Sequence, residues 1–117
     1  MEILRTNIPD DAFDIDLYYN LFEDEDRAPL KDVAGTDLEF ENYAVYEDVN
    51  GAGELTTLLV LQDLSGNCYV TNSRPFIQSF ERIMDMGDRT GATIRKVRVE
   101  ERTGNNKRKF LHAKFIR

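Results

Sequence analysis

Cysteine is nearly absent from this chain of 117 residues, because Cys68 is its only thiol. A single cysteine cannot close an intrachain disulfide or build a zinc cage from several cysteines. No apolar run approaches the roughly 18 residues of a membrane-spanning helix, and the first residues lack the pattern of a secretory signal. We therefore expect a soluble, cytoplasmic protein with no membrane partner.

Residue patterns for catalysis are also missing. His112 is the only histidine, and the sequence has no nucleophile elbow, P-loop or histidine pair at metal-ligand spacing. The acids Asp14 and Asp16 begin like a calcium loop, but Tyr18 follows and the glycine required at the sixth position is absent. We predict no enzymatic activity, no cofactor and no metal site.

The length fits one domain over residues 1–117, with an acidic segment at 1–30 and a core at 31–117. Five predicted strands lie at residues 38–49, 55–64, 68–72, 92–102 and 109–117. A helix is predicted between the third and fourth strands. This element order is that of an OB-like five-stranded barrel, mainly β with α, although a helix packed on an open antiparallel sheet has the same order.

Local signals set the boundaries of these elements. The apolar run 58–61 has no polar face, which predicts a central strand covered on both sides. Ser73 is predicted to cap the helix, and Gly87 is predicted to end it. The apolar stripe of this helix consists of Phe76, Ile77, Phe80, Ile83 and Met84. A second, short amphipathic helix is predicted between Pro9 and Pro29.

Charge changes sign along the chain. Residues 82–117 contain eleven basic and four acidic residues, a net charge of +7, whereas residues 1–81 have a net charge of −14. Such a division creates a surface field with two poles, which affects partners and association rates more than the fold.

The last two predicted strands form a hairpin that collects cations around a polar turn at residues 103–106. The cations predicted to bind nucleic acid are Arg95, Lys96, Arg98, Arg102, Lys107, Arg108, Lys109 and Lys114. Neutralising a line of phosphates releases condensed counterions, so the predicted affinity is sensitive to salt. In the alternative interpretation, the charges on an exposed hairpin only discourage edge pairing.

Aromatic residues on the predicted strands are candidates for stacking on unpaired bases, which is worth roughly 1–3 kcal/mol per base. The candidates are Tyr43, Tyr46, Tyr69 and Phe110. Strand alternation places Phe110, His112 and Lys114 on one face, opposite to Leu111 and Phe115. Alternatively, each tyrosine belongs to the core or its rim.

The acidic segment has eight acids from Asp10 to Asp26, interleaved with apolar residues. It is the solvated face of a packed helix, a hook for a partner protein, or a shield over the basic groove. The residues predicted to bind a partner are Asp14, Asp16, Phe22 and Asp24.

Residues 30–117 resemble the small single-stranded DNA-binding proteins of phages and mobile elements of Gram-positive bacteria. The resemblance lies in LKDVAGTDLEFENYAVYEDV, TTLLVLQD, a glycine turn into CYV, a helix, and a basic strand pair with KFLHAKF. It implies an OB-like barrel that coats displaced strands during replication, without sequence preference, with replication proteins as further partners. The acidic segment departs from many of these proteins.

These observations predict a non-enzymatic protein that binds single-stranded DNA. One alternative is an acidic inhibitor that mimics DNA and blocks a DNA-processing enzyme. Another is a structural subunit whose hairpin pairs with a second copy.

Overall fold

The computed structural model describes residues 1–117, which divide into two compact units. The first unit comprises Met1–Leu30 and Phe40–Asn72, and the second comprises Lys31–Glu39 and Ser73–Arg117. The acidic segment predicted at residues 1–30 therefore groups with the strands of residues 40–72. None of the helices combines the length and apolar composition needed to cross a membrane.

The chain is mainly β with a few helices, as predicted, but it has seven strands instead of five. The strands are β1 (Glu2–Thr6), β2 (Ala28–Pro29), β3 (Asp37–Val49), β4 (Leu55–Asp63), β5 (Cys68–Thr71), β6 (Lys96–Thr103) and β7 (Lys109–Phe115). The α-helices are α1 (Ile15–Tyr18) and α2 (Arg74–Thr90), and further helical turns of the 3₁₀ or π type are Asp10–Ala12, Tyr19–Glu23 and Leu30–Val33. The long helix therefore follows the fifth strand, because β1 and β2 were missed by the sequence prediction.

In the first unit, β4 lies between β3 and β5 and is antiparallel to both. Leu59, Val60 and Leu61 are fully buried in succession, which confirms the prediction of a central strand covered on both faces. β1 pairs antiparallel with β3, and β2 pairs parallel with β5. The side chains of Leu21 and Phe22 pack with Tyr46 and Val60 in this core.

The helical part of the acidic segment lies at residues 15–23, between Pro9 and Pro29 as predicted. Asp14 caps its start, since its side-chain oxygen accepts a hydrogen bond from the Leu17 backbone N–H at 2.8 Å. The helix widens into a π-helical turn at Tyr19–Glu23 and then ends. Acids at residues 23–26 are repelled by the negative end of the helix dipole, which gives a physical reason why the helix ends here.

In the second unit, β6 lies between β7 and the first residues of β3, and α2 packs against β7. The predicted apolar stripe of α2 is buried along its whole length. Ser73 caps α2 as predicted, by accepting a hydrogen bond from the Phe76 N–H at 3.4 Å. The Ser79 hydroxyl accepts a hydrogen bond from the Ala113 N–H at 2.9 Å, which fixes the helix to β7.

The end of α2 differs from the prediction. The helix continues past Gly87 to Thr90, and Gly91 ends it in the left-handed region with φ of 74°. Gly87 instead makes room for the returning chain: a Cβ atom at this position would lie 2.8 Å from the Ala92 carbonyl oxygen and 2.9 Å from Ile94 Cγ1. The glycine therefore permits a close approach inside the helix.

Candidate nucleic-acid interface

The β6–β7 hairpin has two chemically different faces. Val97, Val99 and Ala113 lie on one face and are buried. On the opposite face, antiparallel pairing sets Arg98 against Lys114, Glu100 against His112, and Arg102 against Phe110. The structure therefore confirms that Phe110, His112 and Lys114 share a face.

The first residues of β3 extend this second face, because Asp37 pairs with Arg98 and Glu39 with Lys96. We call the resulting surface the outer face. It consists of Asp37, Glu39, Lys96, Arg98, Glu100, Arg102, Phe110, His112 and Lys114. Its four cations exceed its three acids, so its formal charge is +1 with His112 neutral.

Several cations of the hairpin form ion pairs with carboxylates of the same unit. On the outer face, Nε of Arg98 lies 2.9 Å from Asp37, and Nζ of Lys96 lies 3.3 Å from Glu39. Nη2 of Arg102 lies 2.8 Å from Glu100, and Nζ of Lys109 lies 3.6 Å from Glu101. Four of the eight predicted DNA-binding cations therefore already have an anionic partner.

These ion pairs are exposed, which limits their strength. The cationic side chains are between 43% and 71% exposed in all four pairs. Exposed pairs of this kind contribute about 0–1 kcal/mol each, because water screens them and both side chains lose freedom. A phosphate group that arrives at the outer face can therefore replace a carboxylate partner at small cost.

The remaining cations include three that form no ion pair: Lys107, Arg108 and Lys114. Two of them lie in the tip, which we define as residues 104–108. The Gly104 carbonyl accepts a hydrogen bond from the Lys107 N–H at 3.0 Å, and the Gly104 N–H donates to the Arg108 carbonyl at 2.8 Å. The tip is therefore an ordered turn that carries two unpaired positive charges.

Lys107 has an unusual backbone conformation. Its φ of 63° makes it the only residue other than glycine in the left-handed region. This conformation costs an L-residue about 1–2 kcal/mol, because Cβ crowds the following carbonyl group. Glycine or asparagine would fit this position with less strain, so lysine is not the residue that stability alone favours.

The ionisable groups on the outer face influence one another. Burial, followed by the charge of Arg102, lowers the pKa of His112 below its ordinary value. The hydrogen bond from Arg102 lowers the pKa of Glu100. At neutral pH the histidine therefore offers a neutral ring with hydrogen-bonding nitrogens between charged neighbours.

Two of the predicted stacking residues are buried. Tyr46 is 1% exposed, and its ring packs edge-on against Phe22 with 5.0 Å between centroids. Tyr43 is 5% exposed and packs edge-on against Phe40. Because β3 is covered on both faces at residues 43–46, a base cannot reach either ring. The structure removes Tyr43 and Tyr46 from the interface.

The other two aromatic candidates are only partly buried. Tyr69 lies on β5 in the first unit, where it pairs with Leu61. Phe110 lies on the outer face, close to the turn at Gly104. Phe110 is therefore the aromatic candidate that the structure brings together with the predicted cations.

The predicted partner-binding residues have different environments. Asp14 and Asp16 are exposed, while Asp24 accepts a hydrogen bond from the Asp26 N–H at 2.8 Å. Phe22 is 4% exposed and belongs to the core, so the structure removes it from any partner surface. A helical pattern shows which residues can share a face, but it does not say which large residues stay outside.

The sequence did not indicate two exposed apolar residues of the acidic segment. Ile15 is 83% exposed and Tyr19 is 52% exposed, and acids surround them in the sequence. The first unit contains fourteen acidic and two basic residues, a net charge of −12, whereas the second unit has a net charge of +5. The two opposite charges thus belong to different compact units.

Comparisons with family models, curated proteins and solved structures found no match to this chain. The resemblance to small single-stranded DNA-binding proteins stays a prediction. The hairpin itself offers exposed cations, hydrogen-bonding groups and one aromatic ring on a single surface. These groups are suited to non-covalent binding of a polyanion with flat bases.

Proposed function

We propose that this protein binds single-stranded DNA without sequence preference, through the outer face and tip of its β6–β7 hairpin. The observation that supports it best is the cross-strand array in which Arg102 lies opposite Phe110 and Arg98 lies opposite Lys114 on the neighbouring strand. In this proposal the mainly β chain acts as an OB-like binding fold. It coats displaced strands during replication of a phage or mobile element, with replication proteins as further partners.

Binding combines two kinds of contact. Phosphates approach the unpaired cations of the tip and Lys114, and the released counterions provide sequence-independent affinity. Phe110 offers a ring on which an unpaired base stacks. The ring nitrogens of His112 form hydrogen bonds with polar groups of the DNA. Duplex DNA keeps its base faces covered, so this arrangement favours a single strand.

The acids on the outer face weaken the binding without preventing it. Each of Asp37, Glu39 and Glu100 competes with phosphate for its cationic neighbour. Because an exposed pair contributes little, its replacement costs little, but the competing carboxylate remains nearby and repels the DNA. We therefore expect moderate affinity with a strong dependence on salt.

A salt titration of binding to a labelled oligo-dT strand, followed by fluorescence anisotropy, tests the proposal. If about four phosphates are neutralised, log affinity falls against log salt with a slope of about −3. Replacing both unpaired tip cations, in Lys107→Gln with Arg108→Gln, should weaken binding and make this slope shallower. A flat salt response would contradict the proposal.

A charge-matched variant provides the control. Lys31→Gln with Arg89→Gln removes the same charge from exposed positions outside the hairpin. It should bind nearly as the natural protein does. Equal losses in both double variants would mean that total charge, and not the hairpin, determines binding. Preference for a matched duplex would contradict stacking on Phe110.

The acidic first unit supports a second candidate function, inhibition of a DNA-processing enzyme by mimicry of DNA. The observation in its favour is the exposure of Ile15 and Tyr19 in a unit with a net charge of −12. In that case the protein inhibits a nuclease or polymerase without binding free oligonucleotide. Asp14→Asn with Asp16→Asn should relieve the inhibition, whereas the tip variants should leave it unchanged.

A further inference from the structure

A cleft lies where β6 begins and β7 ends, at the end of the hairpin away from the tip. We call it the root cleft. It has a volume of about 340 Å³ and is lined by Thr93, Ile94, Arg95, Lys96, Phe115, Ile116 and Arg117. The predicted interface included Arg95 and Lys96 but none of the other lining residues.

The lining combines apolar and cationic side chains and includes no acidic residue. Ile94, Phe115 and Ile116 provide apolar surface, while Arg95, Lys96 and Arg117 provide positive charge. Phe115 is 39% exposed even though its cross-strand partner Val97 is fully buried. Cations beside an exposed ring suit a ligand that is flat and apolar in one part and anionic in another.

The size of the cleft limits what can enter it. Sites for small molecules have volumes of roughly 300–1,000 Å³, so the root cleft lies at the lower end of that range. One nucleoside with its phosphates fits this description better than a folded or double-stranded segment. The cleft is also too small to hold several stacked bases.

We propose that the root cleft holds one nucleoside of a bound DNA single strand. The base packs against the ring of Phe115 and the side chain of Ile94, and the flanking phosphates contact Arg95, Lys96 and Arg117. This inference rests on the proposed function and extends it by a second contact at the opposite end of the hairpin. It also assigns a role to Phe115, which faces away from the outer face by strand alternation.

The positions of tip and cleft set the length of the bound strand. β7 has seven residues between these two ends. At a rise of about 3.3 Å per residue, the hairpin offers roughly 20 Å of surface along β7. A DNA strand that contacts both ends corresponds to a short binding site, at the lower end of the about 4–16 nucleotides found for OB folds.

The absence of tryptophan from the chain makes a direct test practical. Phe115→Trp places a single indole at the cleft, and a base that stacks on it quenches its fluorescence. Leu64→Trp is the matched control, because Leu64 is 62% exposed in a turn of the first unit. Oligo-dT should quench the Phe115→Trp protein over the same concentrations at which anisotropy reports binding. The Leu64→Trp protein should not respond.

A second variant measures the contribution of the ring. Phe115→Leu keeps an apolar side chain but removes the stacking surface, so affinity for oligo-dT should fall at least about fivefold. If the strand binds normally while Phe115→Trp is not quenched and Phe115→Leu binds unchanged, the root cleft is not a nucleoside site, and the proposed function stands. If neither the natural protein nor any of the variants binds oligo-dT, both proposals fail.

Discussion

The environment of a residue in the structure shows whether it lies in the core or on a binding surface, which its residue type alone does not. Tyr43 and Tyr46 look like stacking residues in the sequence, and both are core residues in the structure. Strand alternation separates two faces, but β3 is covered on both of them, which depends on residues distant in sequence, such as Phe22 packed against Tyr46. Alternation was sufficient for Phe110 and His112, because the hairpin has only one covered face.

The strained lysine of the tip gives the first prediction. Lys107→Asn should raise the free energy of unfolding by up to about 1 kcal/mol, because asparagine tolerates the left-handed conformation better. The same change should weaken oligonucleotide binding, since a cation is lost. Thermal unfolding and anisotropy measure the two effects. Arg108→Asn is the control, which removes the neighbouring charge without relieving strain; an equal gain in stability there would contradict the explanation.

A buried hydroxyl gives the second prediction. Arg27 donates a hydrogen bond from Nη1 to the Tyr46 hydroxyl at 2.8 Å, and burial raises the pKa of Tyr46. A raised pKa in the folded state means that this group's contribution to stability is complete below pH about 10 and is lost as the pH rises through the folded value. The folded protein should therefore become less stable above pH about 10.

Tyr46→Phe tests this assignment. At pH 7 the variant should be less stable by about 1 kcal/mol, because the hydrogen bond from Arg27 is lost. Its stability should fall less between pH about 10 and 11 than that of the natural protein. Urea unfolding across this pH range gives both values, and Tyr19→Phe, with its exposed ring, is the control. If the free energy of unfolding falls equally with pH in the natural and Tyr46→Phe proteins, Tyr46 is not the source of the loss of stability at high pH.

At the scale of elements, the sequence predicts best where one segment contains the whole signal. α2 has its cap and its apolar stripe within a short stretch, and the hairpin has its turn between two alternating strands. β1 has no such signal: its position depends on hydrogen bonds with β3, such as that from the Thr6 hydroxyl to the Tyr43 carbonyl oxygen at 2.6 Å. The two residues of β2 likewise depend on β5.

The interior glycine of α2 gives the third prediction. Gly87→Ala should destabilise the protein by about 1–3 kcal/mol, because the new methyl group meets the Ala92 carbonyl oxygen and Ile94. In a helix with free space at this position, the same change would stabilise the protein by about 1 kcal/mol. The sign of the change in the free energy of unfolding therefore tests whether the site is crowded. Thermal unfolding measures it. Gly51→Ala, where no atom lies within 4 Å of the added Cβ, should change stability little.

At the scale of the whole molecule, the net charge of −7 is a poor guide to where an anion binds. The sequence showed that the charge divides along the chain, and the structure assigns −12 and +5 to the two compact units. The sequence could not show that acids at 37, 39, 100 and 101 pair with hairpin cations. Such pairing depends on which strands are neighbours.

A comparison of two variants with the same total charge gives the fourth prediction. Asp37→Asn with Glu39→Gln releases Arg98 and Lys96 of the outer face from their ion pairs and should raise affinity for oligo-dT severalfold at physiological salt. Glu25→Gln with Glu54→Gln changes the net charge equally, but in the first unit. Screening over about 8 Å at physiological salt makes its effect smaller. Equal gains from both variants would contradict a localised interface.

The Ser79 hydroxyl has a consequence for self-assembly. An edge strand attracts further strands through its outward-facing amide groups, and β7 has only β6 beside it. Ser79 occupies one of those amides, that of Ala113, while its own proton is donated to the Pro75 carbonyl at 2.8 Å. A second copy that added a strand along β7 would have to displace this hydroxyl first. The contact that holds α2 against β7 therefore also opposes edge-to-edge assembly of copies into a fibre.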